Sequence, residues 1–198
     1  MSPDSNGRAA DRPAPKSVPT QITDPRPLLG EPLALDLVNT RWIGPGGRQD
    51  LLTDTVGLAV WLHGAGLAGT CRPDEPTLAA LRQARDAVVA AVADPANVGP
   101  LNEVLDQGRI RRVIIDGVPS EELEVKEHAW RAAWLAADSY AGLLLDGPDR
   151  IRRCANSDCI LHFYDTSKNG ARRWCSMAGC GNRAKAARHY DRSRGPRQ

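Results

Sequence analysis

Between Leu28 and Gly147 apolar residues recur mostly at helical spacing. Thr53 or Asp54 suits the N-cap of a helix through Leu62, which Gly64-Ala65-Gly66 ends. Asp74-Glu75-Pro76 opens a second helix, on which Leu78, Leu81, Val88 and Val92 share a face. A short helix through Leu101, Val104 and Leu105 follows Pro100. Arg111 to Ile115, ahead of Asp116-Gly117, reads as a strand entering a turn and predicts a small sheet. The longest helix is expected to start near Ser120, with Glu121 and Glu122 in its first turn and Gly147-Pro148 at its end. Its expected buried stripe is Trp130, Ala133, Trp134, Ala137, Ala141 and Leu144. Leu33 to Thr40 fits two elements: Leu33, Leu35 and Leu37 alternate as in a strand, while Leu33, Leu37 and Thr40 fit a helix. The pattern predicts a mainly α body with a small β-sheet, an α+β fold.

At 198 residues the chain has room for one ordinary domain and a small appendage. Its 41% hydrophobic and 25% charged residues are those of a soluble globular protein. No apolar run approaches the roughly 20 residues of a bilayer span, so no membrane association is expected. Residues 1–27 hold six of the fifteen prolines and lack the apolar stretch of a secretory signal. They are expected to form a disordered tail on a cytoplasmic protein.

Charge divides the chain. Residues 148–198 carry twelve Lys/Arg and four Asp, a net +8, against −6 for everything before them. A basic unit on an acidic body points to a polyanionic partner, most commonly nucleic acid. Cysteine falls along the same line: Cys71 stands alone, whereas Cys154, Cys159, Cys175 and Cys180 form two pairs, each with four residues between its members. In a reducing compartment such pairs ligate zinc more often than they bond to each other, because thiolates suit a tetrahedral closed-shell ion. An iron–sulfur cluster, two disulfides or unrelated buried thiols also fit the spacing, and His162 could replace one sulfur.

The run Cys154-Ala-Asn-Ser-Asp-Cys159, then Phe163-Tyr-Asp165, Arg172-Arg-Trp-Cys-Ser-Met177 and Cys180-Gly-Asn-Arg183 with Lys185, resembles the CGNR zinc finger over residues 148–194. Upstream, Leu33-Ala-Leu-Asp-Leu-Val-Asn-Thr-Arg41, Asp50-Leu-Leu52 and Trp61-Leu62 resemble the ABATE domain, expected here over 28–147. The resemblance implies a bacterial stress-related transcription regulator whose finger binds DNA and whose larger domain senses a signal. It also implies Cys154, Cys159, Cys175 and Cys180 as ligands of one Zn2+. The segment Ile160-Leu161-His162 departs from the smaller, turn-like opening expected after the second cysteine.

From Asn182 to Arg192 nothing breaks a helix, and Gly181 is expected to supply freedom in φ where the chain leaves the knuckle. On that C-terminal basic helix Lys185, Arg188 and Arg192 form one stripe, with Ala186 and Ala187 free to pack against the knuckle. With Arg172, Arg173 and Arg183 they are the expected nucleic-acid contacts, salt-sensitive because each neutralised phosphate releases counterions. Phe163 and Trp174 are expected to serve as the finger's own core. Asn182 is expected to hold the knuckle, Arg183 suits that role and base reading equally, and Asp165 is expected in a turn. Residues 195–198 are expected to be a tail.

In the body, Asp36, Asn39 and Arg41 end an apolar stretch with polar groups, as at the rim of an effector pocket for a small molecule or a protein; capping and turn bonds are the more common role of such residues. Gly44-Pro-Gly-Gly47 lacks the lysine of a phosphate loop and is read as a plain loop. No nucleophile elbow, paired metalloprotease histidines or dinucleotide fingerprint occurs, so the chain is not expected to be an enzyme. A metal-assisted nuclease using His162, Asp165 or His189 would need an open metal position. A zinc-dependent protein- or RNA-interaction module is the alternative to a DNA-binding regulator. A homodimer would strengthen binding by so small a finger.

Overall fold

In a computed structural model, residues 23–193 are described. Helix α1 (Leu33–Val38) settles the ambiguous segment: Ala34, Leu35, Leu37 and Val38 are all buried, and burial on consecutive positions is what a helix sunk among others produces. A hairpin follows, β1 (Arg41–Gly44) pairing antiparallel with β2 (Gly47–Asp50). The glycine-rich loop is its turn, with Gly47 at φ 100°.

Helix α2 (Thr55–Gly64) is capped by Asp54, whose carboxylate accepts from Gly57 N at 2.9 Å. Gly57 lies so close to the Leu51 carbonyl that a Cβ would stand 1.6 Å from that oxygen. Helix α3 (Glu75–Ala93) starts in the same way at Asp74, which accepts from Thr77 N at 3.0 Å, with Pro76 in the first turn. Its predicted face is buried at Leu78, Leu81 and Val88. Helix α4 (Gly99–Leu105) contributes Leu101 and Val104 to the same core.

The predicted turn at Asp116-Gly117 joins β3 (Gly108–Ile115) to β4 (Val118–Val125). Both turn residues have positive φ, 50° and 80°, as a two-residue hairpin whose twist matches its strands requires. The helix expected to start near Ser120 is therefore corrected: Ser120, Glu121 and Glu122 are strand residues. Across the ladder, Arg109, Arg111 and Arg112 pair with Glu124, Glu122 and Glu121. The acidic run that suited a first helical turn instead answers the arginines of the preceding strand.

After a 3₁₀ turn at His128–Trp130, helix α5 begins at Arg131 and runs to Asp146. Ala133, Trp134 and Ala137 are buried as expected, but Ala136, Tyr140 and Leu143 complete the buried face; Trp130 and Ala141 are only partly covered and Leu144 is exposed. The later start explains the shift, since no continuous helix carries the register from Ser120. α3 and α5 pack together, α1 and α4 cover both, and α2 leans on α3. Arg85, fully buried on α3, reaches Thr40 Oγ1 at 2.8 Å and both oxygens of Asp50 at 2.6 and 2.9 Å. It thereby joins helix, hairpin and the end of α1.

The C-terminal unit carries the short antiparallel pair β5 (Ile151–Arg153) and β6 (His162–Tyr164), then helix α6 (Asn182–Ser193). It is bonded closely to the body. Ile151 and Tyr164 pack on the helical core, while Leu28 and Trp42 pack on the core of the finger. Most of the predicted 1–27 tail lies outside the described residues, as does 195–198. Residues 23–27 are not loose: Arg26 is buried and paired with Asp24 and Asp36, each at 2.7 Å.

Candidate metal centre

Two loops bring the four cysteines together. Cys154 follows β5, and its N–H donates to the Leu161 carbonyl at 2.9 Å, so the first pair closes a hairpin loop that returns into β6. Leu161 is buried beneath that loop beside Phe163. The departure at Ile160-Leu161-His162 thus supplies core rather than a bare turn. The second pair spans a tight turn in which Ser176 Oγ accepts from Gly179 N at 3.2 Å and Gly181 N returns to the Ser176 carbonyl at 2.9 Å. Gly181 has no positive φ, correcting the reason given for it. A Cβ there would meet the Met177 sulfur at 2.8 Å and Trp174 Cδ1 at 3.4 Å, so a larger residue would have to displace the exposed Met177 side chain.

All four cysteines are buried and free of disulfides, and their sulfurs lie within 4.8 Å of one another. The Cys159–Cys175 and Cys175–Cys180 separations are 3.8 and 3.7 Å. A tetrahedron of metal–sulfur bonds near 2.3 Å has edges of about 3.8 Å. The cluster therefore fits one tetrahedrally bound metal ion. The thiols share their protons: bonds from its neighbours bring the Cys159 thiol down to about 5, while the bond to Cys159 and burial push Cys175 far up, and burial raises Cys154. Four adjacent thiols cannot all ionise without a cation, and a divalent ion binds by displacing those protons.

Three donors turn toward the sulfurs. Cys175 N donates to Cys154 Sγ at 3.4 Å, Asn156 Nδ2 to Cys180 Sγ at 3.4 Å and Arg183 Nη2 to the same sulfur at 3.3 Å. Such donors orient thiolates and moderate their charge. Asn156 was missed in the sequence; its signal is an asparagine two residues beyond Cys154, where a side chain can reach back over the loop. Asn182 is exposed and donates to the Ala178 carbonyl at 3.3 Å rather than to a sulfur. His162 lies outside the ligand group found among the described residues, and burial lowers its pKa. Cys71 sits apart, buried in the helical core, where desolvation raises its thiol.

The profile of ABATE, a family described as "Putative stress-induced transcription regulator", matches residues 31–147, more than half of the chain. The chain belongs to the ABATE family. The CGNR zinc finger profile matches residues 150–193, the segment that holds the four cysteines, so the order expected from the sequence stands. No curated protein matches the chain significantly.

Around the CGNR finger the basic residues divide by environment. Arg172 is built in: it donates to the carbonyls of Tyr164, Trp174 and Cys175 and to Glu31 at 2.8 Å, and it lies 4.2 Å above the Phe163 ring. Arg150 likewise holds the Asp165 and Ser167 carbonyls. Asp165 is buried in the turn it was expected to form, accepting from Ser167 N and Oγ and from Arg172 N; the Ser167 bond holds its carboxyl below the usual range. Arg173 is exposed beside Trp174, and Arg183, Lys185 and Arg188 are exposed on α6. Arg192 lies one turn further along that helix. Ala186 and Ala187 are exposed rather than packed on the knuckle, because α6 projects from the turn that precedes it. Phe163 is fully buried and Trp174 half-buried, as core residues of so small a unit must be.

The three ABATE residues read as a pocket rim part ways. The Asp36 carboxylate and carbonyl both receive Arg26. Asn39 is buried and bonds the finger twice: its Nδ2 donates to the His162 carbonyl and its Oδ1 accepts from His162 N, each at 2.8 Å. Arg41 pairs with Asp50 and Asp86 and lines a cavity between ABATE domain and finger. Glu31, which sequence reasoning passed over, bonds Tyr164 N at 2.9 Å as well as Arg172.

Proposed function

We propose that the protein is a zinc-holding transcription regulator in which the CGNR finger binds DNA and the ABATE domain senses a signal. The observation that carries this reading is a closed four-sulfur site inside a unit of net +8, beside a helix whose residues 185–190 are exposed. Zinc suits four buried thiolates in tetrahedral array. With four protein ligands it would leave no position for a substrate water, so its role is structural.

DNA contact falls to Lys185, Arg188 and Arg192 on α6, with Arg173 alongside. A groove of about 440 Å³, bordered by Asn156, Trp174, Arg183 and Arg188, separates that helix from the first knuckle and gives a phosphate backbone room to approach. Arg183 holds a cysteine sulfur and Arg172 the finger's interior, so both act on DNA chiefly by fixing the shape of the unit.

The test is fluorescence anisotropy of a labelled duplex with zinc-loaded protein and with the variant Lys185→Ala/Arg188→Ala/Arg192→Ala. Weakened binding with retained zinc supports the reading, whereas unchanged binding moves the interface off α6. Competition by single-stranded RNA at matched salt separates DNA binding from the interaction-module alternative.

A further inference from the structure

A cavity of about 490 Å³ opens where the ABATE domain meets the finger. That is an ordinary size for a small-molecule site. Val38, Val89 and Val92 wall it from the helical body, Ile151 and Ile160 from the finger. Three arginines line it as well. Arg41 is already neutralised by Asp50 and Asp86, but Arg48 on β2 and Arg153 on β5 make no ion pair with any described residue, and no acidic side chain is among the lining residues. Both side chains are exposed at the cavity, and two guanidinium groups without an acidic partner on one apolar-walled site favour an anion.

We propose that this cavity is the effector site, taking a small carboxylate with an apolar body, its charge held by Arg48 and Arg153 and its apolar part by the valines and isoleucines. The term effector rests on the regulator reading above. The walls come from both units, so the ligand adds contacts between them. His162, which also lines the cavity, is the residue whose main chain Asn39 clamps. A bound carboxylate therefore acts on the same junction that positions the finger.

Isothermal titration of the full-length, zinc-loaded chain with octanoate, 1-naphthoate and the neutral 1-octanol tests this. At least one carboxylate is expected to bind one-to-one, at least tenfold more tightly than 1-octanol. Arg48→Glu/Arg153→Glu should weaken it at least tenfold with zinc content unchanged. Val89→Trp, which fills the cavity without touching charge, should weaken it as well. Binding by neither carboxylate, equal affinity for 1-octanol, or indifference to these substitutions would overturn the proposal. The titration contains no DNA, so its failure leaves the DNA-binding reading standing, and a finger that ignores DNA leaves the carboxylate affinity untouched.

Discussion

Asn39 is a short side chain that joins two units, its amide closing a reciprocal pair of bonds with the His162 main chain across 123 positions of sequence. Asn39→Ala leaves a buried N–H and carbonyl unanswered, at a cost of about 2 kcal/mol. Urea unfolding should show that loss, and a chelator should strip metal faster than from the unmodified chain. Asp50 works through charge. Burial pushes its carboxyl up, but bonds from Arg85, Leu52 N and Arg41 outweigh it, leaving the pKa below the ordinary 3.8. A depressed carboxyl stabilises the fold above its unfolded value, and that stabilisation is lost as pH falls through the folded one. Asp50→Asn should remove about 3 kcal/mol at neutral pH by leaving Arg85 buried without its counter-charge. Its stability should also vary less with pH below about 4 than that of the native chain.

Among the elements, α2 depends on one glycine. Any side chain at Gly57 must displace the Leu51 carbonyl, so Gly57→Ala should cost about 3 kcal/mol, the upper range for overpacking, despite alanine's better helix propensity. Thermal unfolding measures it. Helix α3 was legible in the sequence because cap, proline and apolar period agree there, α2 from its Asp54 cap and glycine stop, and α4 from Pro100. β4 was not legible, because Glu121, Glu122 and Glu124 satisfy a helix start locally and reveal their strand role only opposite Arg112, Arg111 and Arg109. The β1/β2 hairpin was hidden for a related reason: β1 is mostly half-buried, β2 mostly exposed, and neither alternates. In the finger the cysteines were readable from spacing, and the helix from its unbroken run. The built-in role of Arg172 was not readable, since a basic residue beside a metal knuckle looks the same in sequence whether it faces phosphate or a neighbouring carbonyl.

For the whole molecule, the charge division and the junction set the behaviour. Cys175→Ser should abolish tight metal binding and melt the finger. The helical body should stay folded at a lower midpoint, because Glu31, Asn39 and Trp42 lose partners there. Circular dichroism that retains most helical signal, with an earlier thermal transition, would match this. Complete unfolding on chelation would show that the body depends on the finger outright. Electrostatics gives the sharper test, because each phosphate contact contributes about −0.9 to the slope of log affinity against log salt. The measurement to make is duplex-DNA affinity of the full-length protein across about 50–200 mM salt, with zinc and after chelation. Affinity should fall linearly on logarithmic axes, vanish without metal, and lose about three units of slope in the Lys185→Ala/Arg188→Ala/Arg192→Ala variant. Binding that is absent at low salt, or that survives removal of the metal, would contradict a zinc-ordered DNA-binding finger.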